Sequence, residues 1–154
     1  MIELTGESYA HQRIGFNLMA ALLARIDRQR FTVVQEMRLR IGRSVRYPDV
    51  SVMPGRVGQA VKTLDDAVAL FEVLSDETSA TDLLDKLDEY ASAASFRHYV
   101  VVEQSRHLVL VHSRQDHGTV RERFADGVIP LPGIDVELPF AAIYEDLTFD
   151  GPTA

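Results

Sequence analysis

Three residues spaced along the middle of the chain could together do phosphate chemistry: Asp49, Glu72 and Lys86. Glu72 stands at the centre of Ala69-Leu70-Phe71-Glu72-Val73-Leu74-Ser75, an apolar run of strand length that reads as a strand buried on both faces. An ionised carboxylate there is costly unless a cation, several donors or a metal ion compensates it. Asp49 lies near the start of a second short strand, Tyr47-Pro48-Asp49-Val50-Ser51-Val52, and Lys86 lies on a helix expected over residues 79–95. Two carboxylates at the ends of neighbouring strands can hold a hard cation through oxygen, and a lysine point charge steadies a hydroxide or a phosphorane. This is the equipment of a metal-dependent phosphodiesterase, with Mg²⁺ as the cation and Mn²⁺ as a substitute.

Each residue also has a plainer reading. An Asp after Pro often only forms a turn, although the alternation of Val50 and Val52 with Asp49 and Ser51 puts Asp49 on the more polar face. On the second helix Leu83, Leu84, Leu87, Ala91 and Ala94 share one arc, and Lys86 lies roughly 60° outside it. A lysine there can snorkel along the sheet, or it can pair with Asp82 at helical spacing. Composition favours the first: Lys62 and Lys86 are the only lysines among 16 basic residues, so a lysine at 86 marks a need for a compact ammonium. Asp82 closes the capping box Ser79-Ala80-Thr81-Asp82 and is read as a helix cap, not a ligand. His11 reads as a core or capping histidine, and Gln104 as either close to the site or a turn residue. No HExxH spacing, phosphate loop or nucleophile elbow occurs.

Positioning these residues calls for a mixed sheet flanked by helices. Ser8 can cap a helix running to residue 28 with an apolar face through Ile14, Leu18 and Leu22. Residues 31–41 read as a half-buried strand turned back at Gly42-Arg43-Ser44. Residues 54–66 read as a loop holding a turn of helix, with Thr63-Leu64-Asp65-Asp66 as its capping box; residues 76–78 read as a polar turn. Residues 97–103 form another buried strand, and 107–114 with 118–124 an antiparallel hairpin towards the C-terminus. Residues 127–132 read as a turn-rich connection, 136–138 as an edge strand, Pro139 as the opening of a short helix, and 151–154 as a frayed end.

Arg46-Tyr47-Pro48-Asp49-Val50-Ser51-Val52, then Phe71-Glu72-Val73-Leu74-Ser75, then Asp82-Leu83-Leu84-Asp85-Lys86-Leu87-Asp88-Glu89-Tyr90 resemble the Uma2 family of restriction endonuclease-like proteins. The ending, from Leu131-Pro132-Gly133-Ile134 to Ile143-Tyr144-Glu145-Asp146, is similar to that family too, so the resemblance spans nearly the whole chain. It implies the PD-(D/E)XK nuclease fold, an α/β domain over residues 1–154 in a variant whose lysine has moved from the strand to the following helix. It also implies a metal-dependent DNA endonuclease, with Asp49 and Glu72 on the metal and Lys86 as the catalytic cation. A homodimer would let it cut two strands. Two other functions stay open: a non-catalytic nucleic-acid or protein-binding module on a nuclease-like fold, and a phosphodiesterase acting on RNA or small nucleotides.

With 154 residues, 46% apolar and 25% charged, the chain fits one ordinary globular domain. The lack of cysteine excludes disulfides and thiolate metal sites, as suits a cytoplasmic magnesium enzyme. Residues 14–24 are too short and too interrupted by Asn17 to span a membrane, and Glu3 and Glu7 take from the preceding segment the positive charge of a signal peptide. A net charge of −7 sits awkwardly with DNA, yet Arg38, Arg40, Arg43 and Arg46 cluster just before Asp49, placed to receive a phosphate backbone.

Overall fold

Helix α1, Tyr9–Leu23, begins at Ser8, whose hydroxyl accepts the His11 N–H at 3.0 Å and so satisfies one of the orphan donors of a helix start. It stops short of the expected residue 28: the Arg25 and Ile26 N–H groups both donate to the Leu22 carbonyl as the last turn closes, and beyond it the Asp27 side chain accepts the Gln29 N–H in a separate turn. The structure, a computed structural model, describes residues 7–75 and 79–148. The polar turn expected at 76–78 and the end at 151–154 lie outside the described residues.

The central sheet has six strands in the order β1 (Phe31–Gln35), β4 (Val50–Pro54), β6 (Ala69–Leu74), β7 (His98–Glu103), β8 (Val109–Gln115) and β9 (Gly118–Phe124). β6 runs antiparallel to β4 and parallel to β7, so the sheet is mixed, as expected. It is an interior strand, and its residues 69–73 are buried, which explains its apolar run. The β8–β9 hairpin extends the same sheet.

The strand expected over 31–41 is broken. Glu36 takes a left-handed φ of 52°, which few side chains tolerate. The chain there leaves β1 and starts a second, three-stranded sheet of β2 (Leu39–Ile41), β3 (Ser44–Arg46) and β5 (Leu64–Asp65). This break lets Leu39 pack with Leu64 and Leu87 on the far face of the main sheet. Gly42, at φ 59°, makes the β2–β3 turn. The turn of helix expected within 54–66 is absent, since Leu64 and Asp65 pair in parallel with Leu39 and Arg40 instead.

Alternation along β6 sorts its side chains between two layers. Phe71 and Val73 join α1 residues Ile14, Leu18 and Leu22 in one core. Leu70 joins Leu87, Tyr90, Phe96 and Tyr99 in another, roofed by helix α2, Ala80–Ala91. The first core is closed by β10 (Val128–Leu131), β11 (Val136–Pro139) and helix α3 (Phe140–Ile143). The first of these takes the place of the expected turn-rich connection and pairs with β11 in a sheet of its own.

Between them sits Gly133, where a Cβ would fall 2.5 Å from the Arg97 Cβ and 2.8 Å from His98 Nε2. Only glycine allows that approach, and the Gly133 N–H uses it to donate to His98 Nε2 at 2.8 Å. No helix among the described residues is long and apolar enough to cross a membrane.

Candidate active site

Asp49 sits where β4 and β6 part. The last paired residues at that end are Val50 and Phe71, so Asp49 and Glu72 fall opposite each other one step beyond the ladder. Instead of the next backbone bond, the Val73 N–H donates to Asp49 Oδ2 at 2.7 Å. The backbone of Asp49 is held as well, its carbonyl accepting the Glu36 N–H at 3.0 Å. Its other carboxylate oxygen, Oδ1, lies 3.3 Å from His11 Nε2, and the side chain is 20% exposed. Contact with Asp49, against the opposing effect of burial, raises the His11 pKa above its ordinary value, with the charges of Glu7 and Glu36 adding to it. His11, Glu7, Gln35, Glu36 and Asp49 line an open cleft of about 270 Å³.

Glu72 lies deeper, 6% exposed, and its burial is offset by three donors. Lys86 Nζ donates to Oε1 at 3.0 Å, Tyr99 Oη to Oε1 at 2.8 Å and Tyr90 Oη to Oε2 at 2.7 Å. Lys86 and Tyr90, four residues apart, share the face of α2 that covers the sheet. The rings of Tyr90 and Tyr99 meet edge to face with centroids 5.1 Å apart, which fixes both phenols. Burial first, and the Glu72 charge second, push both phenol pKa values up, so they remain O–H donors. Lys86 thus reaches into the sheet and does not pair with Asp82. Its side chain keeps 27% exposure.

The donor chemistry suits a hard divalent cation. A carboxylate has about four lone-pair positions; the three donors on Glu72 and the two neighbours of Asp49 leave each with acceptor capacity. Among the described residues no group of three or more His, Asp or Glu side chains forms a ready-made cage. Mg²⁺ commonly takes one or two carboxylates and completes its shell with water and substrate phosphate.

The other expected residues have structural tasks. Asp82 lies in the first turn of α2, and Ser79 Oγ caps that turn by accepting the Asp82 N–H at 3.1 Å. Gln104 Nε2 donates to the Leu74 carbonyl at 2.8 Å, and its Oε1 accepts from Ser8, which ties the ends of β6 and β7 to the start of α1. Arg46 is drawn out of the expected phosphate footprint by a two-pronged bond to Glu89 at 2.9 and 2.7 Å, which lowers the Glu89 pKa. The sequence alone marks neither Tyr90 nor Tyr99 as a site residue and reads His11 as a core or capping histidine. The spacing of Tyr90 from Lys86 was a usable signal; Tyr99, opening an apolar run, gave none.

A family model described as "Uma2: Putative restriction endonuclease" matches residues 1–141. No curated protein matches the chain. Among solved structures, the fold is similar to that of a protein from Anabaena variabilis ATCC 29413, described as a "putative nuclease belonging to DUF820". That likeness has a TM-score of 0.74 at 16% identity and covers 89% of this chain and 81% of that one. A chain of a DrdV–DNA complex is a distant match, with a TM-score of 0.36 at 12% identity over 75% of this chain and 12% of that one.

Proposed function

This chain belongs to the Uma2 family, and from that premise we propose that it is a Mg²⁺-dependent DNA endonuclease whose site is Asp49, Glu72 and Lys86. The observation that carries the reading is the engagement of Glu72: a carboxylate in an interior strand, held by Lys86, Tyr90 and Tyr99, one step past the ladder from Asp49. A purely structural strand has no need of such a group, since apolar residues in place of Glu72 and its polar partners together would fill the same layer without it.

Asp49 and Glu72 are the residues that would hold the metal. When bound, Mg²⁺ or Mn²⁺ supplies a Lewis acid for the scissile phosphate and a lower pKa for an attacking water. The Val73 N–H fixes Asp49 and the two phenols fix Glu72, so neither carboxylate has to be ordered when substrate arrives. The Lys86 ammonium donates to the attacking water or to the phosphate oxygens that gain charge as the new O–P bond forms and the bridging P–O bond breaks. A homodimer would present two such sites to the two strands of a duplex. Light scattering at micromolar concentration checks this, a monomeric mass counting against it.

The direct test is plasmid cleavage by purified protein with Mg²⁺ or Mn²⁺, with Glu72→Ala as control. Metal-dependent nicking by the parent and none by the variant is the expected result. No cleavage by the parent with either metal would sink the proposal.

A further inference from the structure

The sequence between Glu36 and Asp49 holds no acid although the chain carries a net charge of −7. The structure folds most of it into the β2–β3 hairpin, whose register sorts its side chains into two faces. Arg40 pairs with Val45, and one step beyond the Leu39 and Arg46 pair Arg38 falls opposite Tyr47. Arg38, Arg40, Val45 and Tyr47 therefore share one face, and all are exposed, Tyr47 by 66% and Val45 by 39%. The other face looks inward: Leu39 is buried, and Arg46 is bound to Glu89 on α2, one turn from Lys86. The hairpin is thus fastened to the helix that carries Lys86, while its outer face leads in sequence to Asp49. Asp65 of β5 is the register partner of Arg40, and Arg38 lies one residue beyond the last paired position, Leu39 with Leu64.

We propose that this outer face docks a nucleic-acid strand containing unpaired bases, Arg38 and Arg40 on its phosphates and Tyr47 stacked on a base. The inference rests on the nuclease reading and narrows its substrate to single-stranded or locally opened DNA. Charge complementarity commits the face to a polyanion: among the described residues no ion pair engages Arg38, Arg40 or the turn residue Arg43. The exposed phenol makes the choice of strand. Bases inside a duplex are stacked on one another and leave no ring face for Tyr47, whereas an unpaired base stacks on an aromatic ring whatever its identity.

The test is fluorescence anisotropy with a labelled single strand and its duplex, in EDTA and on the Glu72→Gln background so that nothing is cut. Arg38→Ala should lower the salt slope of binding by about one. Tyr47→Ala should weaken single-strand binding roughly tenfold and duplex binding by less than about twofold, while Tyr47→Phe binds like the parent. Arg123→Ala, exposed on β9 away from the hairpin, should change neither. Equal thermal midpoints across the set exclude misfolding. The inference is overturned if Arg38→Ala leaves the salt slope unchanged, or if Tyr47→Ala weakens both substrates equally or neither. Cleavage by the parent alongside separates the two readings. Cleavage with hairpin-independent binding sinks this inference alone, and hairpin-dependent binding without cleavage sinks the nuclease assignment alone.

Discussion

The two faces of β6 are built to different ends. Towards α1 the strand sends Phe71 and Val73 into a core of aliphatic and aromatic residues from α1, β10, β11 and α3. Towards α2 the same six residues send Leu70 and Glu72, and the layer they enter is smaller and interrupted by a charge with three polar partners. Apolar burial is non-directional and tolerates exchange, while a buried carboxylate demands partners in fixed places. The first face therefore supplies stability, and the second uses part of it to hold Glu72 in one orientation.

Substitutions on the two faces should separate accordingly. The largest effect is expected from Phe71→Ala, fully buried on the α1 side, which should cost about 3–5 kcal/mol by denaturant unfolding. A loss of under about 1 kcal/mol would show that this face is loosely packed.

His98 gives the α1-side architecture a pH signature. Its Nε2 accepts from Gly133, so Nδ1 carries the proton and donates to Ser113 Oγ at 2.8 Å. Burial, with Arg97 as a lesser cause, lowers its pKa to about 4. The folded pKa lies below the ordinary value of 6.5, so the unfolded chain binds more protons between those values. The stabilisation is whole above pH 6.5 and is lost as pH falls towards 4, in total about 3 kcal/mol. His98→Gln should flatten that part of the stability profile, and an unchanged slope would contradict the assignment.

On the α2 side, Tyr99→Phe and Tyr90→Phe each remove one donor from Glu72 and should cost about 1–2 kcal/mol. Turnover should fall with them, because Glu72 is then free to turn; full turnover in both variants would show that its orientation does not matter. An effect of the same size is expected from metal. Mg²⁺ at ten times its Kd should stabilise the protein by about 1.4 kcal/mol, and Asp49→Asn should abolish the gain. An unchanged melting temperature with Mg²⁺, Mn²⁺ and Ca²⁺ alike would count against the metal assignment.

Local pattern made part of this legible. The apolar run over 69–74 gave β6 its bounds, and the helix, hairpin and buried strand that follow were readable from period and turn residues. The break at Glu36 was not, because the alternation of Met37, Leu39 and Ile41 continues through it and only tertiary demand for Leu39 redirects the chain. β5 is two residues long and exists only through its pairing with β2, so no local signal marks it. In the candidate site, the odd placement of Glu72 and the rarity of lysine pointed to residues the structure joins at 3.0 Å. Tyr99 and His11 reach that region by strand register and helix docking, which composition and spacing do not encode.

Whether the α2 side performs chemistry turns on Lys86, and the most direct measurement compares plasmid nicking rates of the parent, Lys86→Ala and Lys86→Arg at saturating Mg²⁺. If the ammonium acts on the water or the phosphate, Lys86→Ala should lose roughly 100-fold or more while its Mg²⁺ dependence stays that of the parent. Arginine should rescue it poorly, since a planar fork does not replace a compact point charge. Full activity in Lys86→Arg, with Lys86→Ala losing only a little stability, would contradict the account and leave Lys86 as the partner that neutralises a buried carboxylate.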